Sequence, residues 1–265
     1  MREKIVLSDR LQAVASMVTE GNRVCDIGCD HGFVPIYLLQ QGISPGALAM
    51  DVREGPLGQA RVHIRAYGLE AFIGTRISDG LAAFQKGEAD TLICAGMGGR
   101  LMMRILSEEE EKAASFRELI LQPQSEVRHF RAFLRRQGYL LVDENMIEED
   151  GKFYPMMKAV KKPHCSDESS KTIPQEDSYD SFWQRMRDRY GPLLLERKHP
   201  VLYRYLEREA RICDEVLEQL REHETEEAGK RDRKSGRYEE ISRQKQDCIR
   251  VMREGYGYGY GEDQD

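Results

Sequence analysis

Apolar positions along the chain follow two different periods. Near the N-terminus Leu11, Val14, Ala15 and Val18 share one helical face, and Ser8 stands where an N-cap belongs. Gly21 and Asn22 break that pattern, and Val24-Cys25-Asp26-Ile27 reads as a buried strand. Strand-like runs recur at 47–52, 73–77, 91–95 and 119–122. Helical patterns lie between them, including segments starting near Gly55, Gly98 and Ser125. This alternation predicts right-handed crossovers onto a mostly parallel sheet. The rhythm changes after Gly138. Two strand-like runs, 139–148 and 153–160, flank Glu149-Asp150-Gly151-Lys152, which predicts a terminal antiparallel hairpin.

Beyond the hairpin the pattern turns polar. Residues 161–180, rich in Ser, Asp and Pro, read as a linker. Residues 182–227 and 237–253 are charged and helical in period, with Pro192 and Pro200 expected to interrupt them. Leu202, Leu206, Ile212, Val216, Leu217 and Leu220 form an apolar stripe. An antiparallel, coiled-coil-like helical pair is expected, turning at Lys230–Arg237. The Gly/Tyr tail from Gly255 to Gly261 is expected to be disordered. The domain expectation is therefore 1–162, a linker at 163–180, a helical domain at 181–254 and a tail at 255–265.

Composition narrows the function classes. The 265 residues carry a formal charge of −6, so any grip on phosphate must come from local Lys/Arg clusters. Six cysteines lack any C-x-x-C pair or zinc-type spacing, so free thiols in a reducing cytoplasm are expected, with no metal. The N-terminus lacks the run of a signal peptide, and no apolar stretch nears the ~20 residues of a membrane span.

The chemistry concentrates at strand ends. Asp26-Ile27-Gly28-Cys29-Asp30-His31-Gly32 joins the first strand to an apolar helix. A glycine there lets a ligand approach the backbone, and the helix beyond offers free N–H groups. Asp51 ends the next strand, near the offset of ribose-binding acids. Asp79 and Gly80 follow the third strand, where they can read an adenine edge. Ala95, Gly96 and Met97 follow the fourth, making a floor poor in side chains. A dinucleotide fingerprint requires glycine where Asp30 stands, and that carboxylate would repel a pyrophosphate. A phosphate-free, cationic nucleoside such as S-adenosylmethionine suits these acids better.

The stretches Leu7-Ser8-Asp9-Arg10-Leu11, Asp26-Ile27-Gly28-Cys29-Asp30-His31, Gly55-Pro56, Ser78-Asp79-Gly80-Leu81, Ala95-Gly96-Met97-Gly98-Gly99, Leu121-Gln122-Pro123-Gln124 and Gly151-Lys152-Phe153-Tyr154 together resemble the TrmK-type tRNA (adenine-N1) methyltransferases. The resemblance covers about residues 7–160. It departs at Asp51, where the family pattern has Glu, and at Gln124, where it has Asn. It implies a Rossmann-like class I methyltransferase sheet with a C-terminal helical appendage. It also implies S-adenosyl-L-methionine as cofactor, and methylation of N1 of the adenine at tRNA position 22.

On this reading N1 already carries a lone pair, so the site must position it and stabilise the positive charge that develops. Asp30 is expected to accept from the adenine amine and His31 to orient it or take a proton. The alternative is that both only cap and brace the following helix. Tyr154 could stack on an extruded base, or with Phe153 simply fill the sheet core. Arg128, Arg131 and Arg135, with Arg136 and His129, form one candidate phosphate-binding helix face, and Lys230–Arg237 is a second basic cluster. A monomer is expected. Two rival readings stay open: a small-molecule methyltransferase, and a non-catalytic protein that binds the methyl donor or a partner.

Overall fold

The computed structural model describes residues 4–162, 181–224 and 231–257. Five strands form the parallel part of one sheet: β1 (Val24–Ile27), β2 (Ala47–Asp51), β3 (Ile73–Ile77), β4 (Thr91–Gly98) and β5 (Glu118–Ser125). β6 (Tyr139–Glu149) and β7 (Lys152–Lys161) complete it in the order β3-β2-β1-β4-β5-β7-β6. β7 runs antiparallel to both neighbours, so the expected terminal hairpin is present. Asp150 and Gly151 both take positive φ, the backbone of a two-residue type I′ loop.

Alternate strand residues feed two cores, because successive side chains point to opposite faces. Cys25, Ile27, Leu92, Cys94, Leu119 and Leu121 pack on one face against α4 (Gly99–Glu108) and α6 (Val127–Arg136). Val24, Ile93 and Ile120 pack on the other, with α1 (Asp9–Ser16), α2 (Phe33–Gln40) and α3 (Glu54–Ala66). Ser8 caps α1 as expected, its Oγ accepting from the Leu11 N–H. A short α5 (Glu110–Ala113) precedes β5.

The chain divides into two compact units, 1–193 and 194–265. The expected boundary at residue 181 is therefore too early: α7 (Ser181–Tyr190) docks on α6 and belongs to the first unit. The linker expected at 163–180 lies outside the described residues. The two prolines interrupt the helical run as expected, each by standing at the start of a new helix. Pro192 opens α8 (Pro192–Glu196) and Pro200 opens α9 (Pro200–Glu224), where a missing N–H costs nothing.

In the second unit α9 pairs with α10 (Arg231–Arg250). Arg221 meets the Tyr238 hydroxyl at 2.7 Å and Asp214 meets Lys245, a register that runs antiparallel. Leu202, Leu206, Ala210, Cys213 and Leu217 form the buried stripe, whereas Ile212 is exposed, one step off the inward face. The turn expected at Lys230–Arg237 needs correction: residues 231–237 are the first turns of α10, and Lys230 lies outside the described residues. The tail expectation also needs correction. Val251–Tyr256 continues as a π-helical turn, and buried Tyr256 donates its hydroxyl to the His199 carbonyl at 3.1 Å.

Candidate active site

A cleft of about 610 Å³ opens along the C-terminal ends of β1–β4. It gathers every residue expected to hold a cofactor: Asp26, Gly28, Asp51, Asp79, Gly80, Ala95, Gly96 and Met97. Asp30 and His31 line it as well. Loops at parallel strand ends converge because each crossover returns the chain to the same edge.

Gly28 is required by its backbone, and a side chain there would also displace the terminal methyl of Met97. Its φ is +68°, and a Cβ there would overlap Met97 Cε. Met97 is brought across the cleft floor by an irregularity in the β4–β5 register between Ala95 and Gly98. Backbone N–H groups of Gly28 and Cys29 both donate to the Met50 carbonyl, fixing the corner between β1 and β2.

Two carboxylates sit almost out of solvent on neighbouring strands, Asp26 at 5% exposure and Asp51 at 6%. Asp51 Oδ1 accepts from the Arg53 N–H at 2.9 Å. Burial, and then the nearby Asp51 charge, push the Asp26 carboxyl up to about 8. No cation among the described residues pairs with either acid. A site so arranged stabilises a positively charged ligand, because a bound cation offsets the desolvation of both acids. Asp79 differs, since Arg104 grips its carboxylate at 2.9 and 3.3 Å. An adenine reading this acid has to share it with the guanidinium.

Asp30 takes φ +48°, so this acid adopts the left-handed backbone of the glycine it stands in for. It lies two residues before Gly32, the N-cap of α2, and so does not cap that helix. Its side chain is 67% exposed, 3.7 Å from His31 Nε2. His31 stacks on Phe33 with ring centroids 5.4 Å apart, and Phe33 stacks on His63 at 4.8 Å. The His63 Nδ1 lies 3.0 Å from the His31 carbonyl, while buried His31 Nδ1 has no hydrogen-bond partner among the described residues. This aromatic row braces the imidazole at the cleft mouth.

The sequence reading missed Phe33, His63 and Arg10. Arg10 lines the cleft, donates to Gln122 Oε1 at 2.9 Å and lies 5.5 Å over the Tyr154 ring. Arg10 belongs to one of the stretches that carry the resemblance, but only a fold places it against β5. The expected substrate residues are not gathered in the cleft. Tyr154 stands outside its lining, with Arg10 over its ring in a cation–π contact. Arg131 also needs correction. It is buried against Glu144, its Nε donating to Oε1 at 2.9 Å, and cannot reach an RNA phosphate. Arg135 is exposed but paired with Asp188 at 3.1 Å, and Arg128 is exposed. Of the second basic cluster, only the exposed Arg237 and Gly236 have described side-chain environments.

The residues fit a phosphate-free cationic nucleoside, and comparison with known proteins agrees. A family model described as a methyltransferase domain matches residues 7–157. The Bacillus subtilis tRNA (adenine(22)-N(1))-methyltransferase is 33% identical over 217 residues, covering 82% of this chain and 87% of the relative. The crystal structure of the Bacillus subtilis M1A22 tRNA methyltransferase TrmK superposes with a TM-score of 0.75 at 30% identity, covering 94% of this chain and all of that one. A Streptococcus pneumoniae protein crystallised in complex with S-adenosyl-L-methionine gives 0.74 at 30% identity, covering 93% and 100%. No described helix is long and apolar enough to cross a membrane. The chain belongs to the methyltransferase-domain family and, within it, to the tRNA (adenine(22)-N(1))-methyltransferases.

Proposed function

We propose that this protein methylates N1 of an adenine in tRNA, at position 22 as its relative's name specifies, with S-adenosyl-L-methionine as donor. The observation that carries the cofactor assignment is the pair of buried, cation-free carboxylates Asp26 and Asp51 at a glycine corner. When bound, the cofactor supplies an electrophilic methyl group. Asp26 offsets its positive charge, and the free oxygen of Asp51 is available to ribose hydroxyls.

The adenine N1 lone pair needs no base to expose it, so the site's task is orientation and charge stabilisation. Asp30 accepts from the exocyclic amine as that group gains positive character. His31, braced by Phe33 and His63, orients the ring or takes the proton released later. A stacked target base has to be extruded to reach the cleft. Arg128 and the Lys230–Arg237 segment contact tRNA phosphates, and the α9–α10 pair serves as a coiled-coil arm. The protein acts as a cytoplasmic monomer.

Incubation with unmodified tRNA and cofactor, followed by nucleoside analysis, is expected to yield N1-methyladenosine. Methyl transfer only to small molecules, or cofactor binding with no transfer at all, sinks the proposal. Asp30→Ala is expected to lower turnover more than tenfold while cofactor affinity changes little. Loss of cofactor binding in that variant would reassign Asp30 to the cofactor.

A further inference from the structure

We propose that Gln124 reads the Hoogsteen edge of the target adenine, its side-chain amide bonding N6 and N7 while N1 stays free for the methyl group. This rests on the adenine-N1 reading above and adds a residue that positions the base.

The exocyclic amine of adenine has two hydrogens, one beside N1 and one beside N7. Asp30, an acceptor only when ionised, can take the first and leaves the far edge of the ring unread. That edge offers the acceptor N7 next to the second hydrogen. The side chain that matches both is a carboxamide, with an acceptor and a donor side by side. A base drawn out of its stack exposes this edge.

Two glutamines stand at the end of β5, and only one is available. Gln122 is fully buried, and its Oε1 accepts from Arg10 Nη1 at 2.9 Å. Gln124 is exposed and carries the one side-chain amide in the cleft lining among the described residues. No partner among those residues takes that amide. Its Nε2 lies 3.6 Å from where a Cβ on Gly96 would be, so it stands over the floor of the cleft.

The sheet order sets the base between its two readers. The Asp30 loop follows β1, Gly96 lies in β4 and Gln124 in β5, and these strands are neighbours in that order. A base resting over Gly96 has Asp30 on the β1 side and Gln124 on the β5 side. The cofactor, assigned to Asp79, Asp51 and Asp26 on β3, β2 and β1, approaches from the β1 side. N1 then faces the methyl group and N7 faces the amide.

The amide is carried on a fixed backbone. Buried Pro123 precedes it, with its φ locked by the ring. Ser125 follows, and a Cβ on Gly99 would lie 2.5 Å from the Ser125 carbonyl oxygen. The corner between β4 and α4 thus meets the end of β5 backbone to backbone, which leaves Gln124 little freedom except in its own side chain.

The test compares kcat/KM for synthetic tRNA carrying adenosine or 7-deazaadenosine at position 22, in wild type, Gln124→Ala and Gln124→Asn. The analogue keeps the amine and N1 but lacks the N7 acceptor. The alanine variant reports the analogue's intrinsic reactivity. The preference for adenosine is expected to be about tenfold greater in wild type than in Gln124→Ala, the weight of one hydrogen bond. On adenosine the alanine variant should be slower by about 10–100-fold, with cofactor affinity unchanged in calorimetry. Gln124→Asn, with the same amide on a shorter stem, should fall between. An equal preference in wild type and the alanine variant overturns the proposal, because a merely structural role would slow both substrates alike. Loss of cofactor affinity in Gln124→Ala overturns it by placing the amide on the cofactor. Absence of transfer to either tRNA by the wild type brings down the adenine-N1 reading, and this proposal with it.

Discussion

The carboxylates buried beside the cleft and the one buried behind α6 are built on opposite principles. Across β1 and β2, Asp26 and Asp51 lie close together with no cation paired to them among the described residues. Behind α6, Glu144 is completely buried but fully answered: Arg131 Nε donates to Oε1 at 2.9 Å and the Leu193 N–H to Oε2 at 2.9 Å. Arg131 Nη1 donates in turn to the Arg189 carbonyl at 3.0 Å, so one ion pair ties α6, β6 and the end of α7 together. Charge answered within the chain holds the fold. Charge left unanswered in a cleft is stability forgone until a ligand arrives.

Glu144→Ala strands a buried guanidinium and should cost about 3–5 kcal/mol in denaturant unfolding. The double replacement Arg131→Met with Glu144→Leu should cost much less. If the double variant is as unstable as the single, the pair is not what holds this region.

At Asp26 the sign reverses. Its carboxyl is raised from the ordinary 3.8 to about 8, so the folded ligand-free protein binds a proton that the unfolded chain has released. The stability this gives is fully present below about pH 4 and is lost as pH rises through about 8. Asp26→Asn should therefore stabilise the ligand-free protein at pH 7 by of the order of 2–4 kcal/mol, flatten that pH dependence and weaken cofactor binding at least tenfold. A destabilised Asn variant would make Asp26 a structural acid like Glu144.

Gly191 sharpens the comparison more gently. Its φ is +107°, and a Cβ would lie 2.7 and 2.8 Å from the Glu144 oxygens. Gly191→Ala should cost about 2 kcal/mol and leave cofactor affinity unchanged, which thermal melts with and without ligand would check. The smallest effect is expected at the surface. Arg128→Ala should raise the tRNA KM two- to threefold and lower the salt dependence of binding by about one ion, roughly the weight of one phosphate contact.

How much of this was legible in the sequence follows from how local each feature is. Gly28, Asp51 and Gly96 could be found because parallel strands end in short loops, so residues adjacent in sequence are adjacent in the cleft. The hairpin was equally legible from its Asp-Gly turn. Arg131 was readable in principle. It lies three residues before Leu134 and four after Val127, on the apolar face of α6, but a run of arginines suggested a solvated face instead. Arg10 was not readable by any local rule, since its partners Gln122 and Glu149 are 112 and 139 residues away. The role of α7 was hidden because its partners Arg131 and Arg135 lie in α6, 58 and 53 residues from Arg189 and Asp188.

That long reach from α1 to the hairpin has a consequence for synthesis. The first helix leaves the ribosome long before Gln122, Glu149 and Tyr154 exist to receive Arg10. A nascent chain stalled before the hairpin could already form the β1–β2 corner, yet Arg10 at the cleft would lack the Glu149 and Tyr154 contacts that hold it. The fixing of Arg10 is therefore timed by the last strands of the sheet, although its helix is made first.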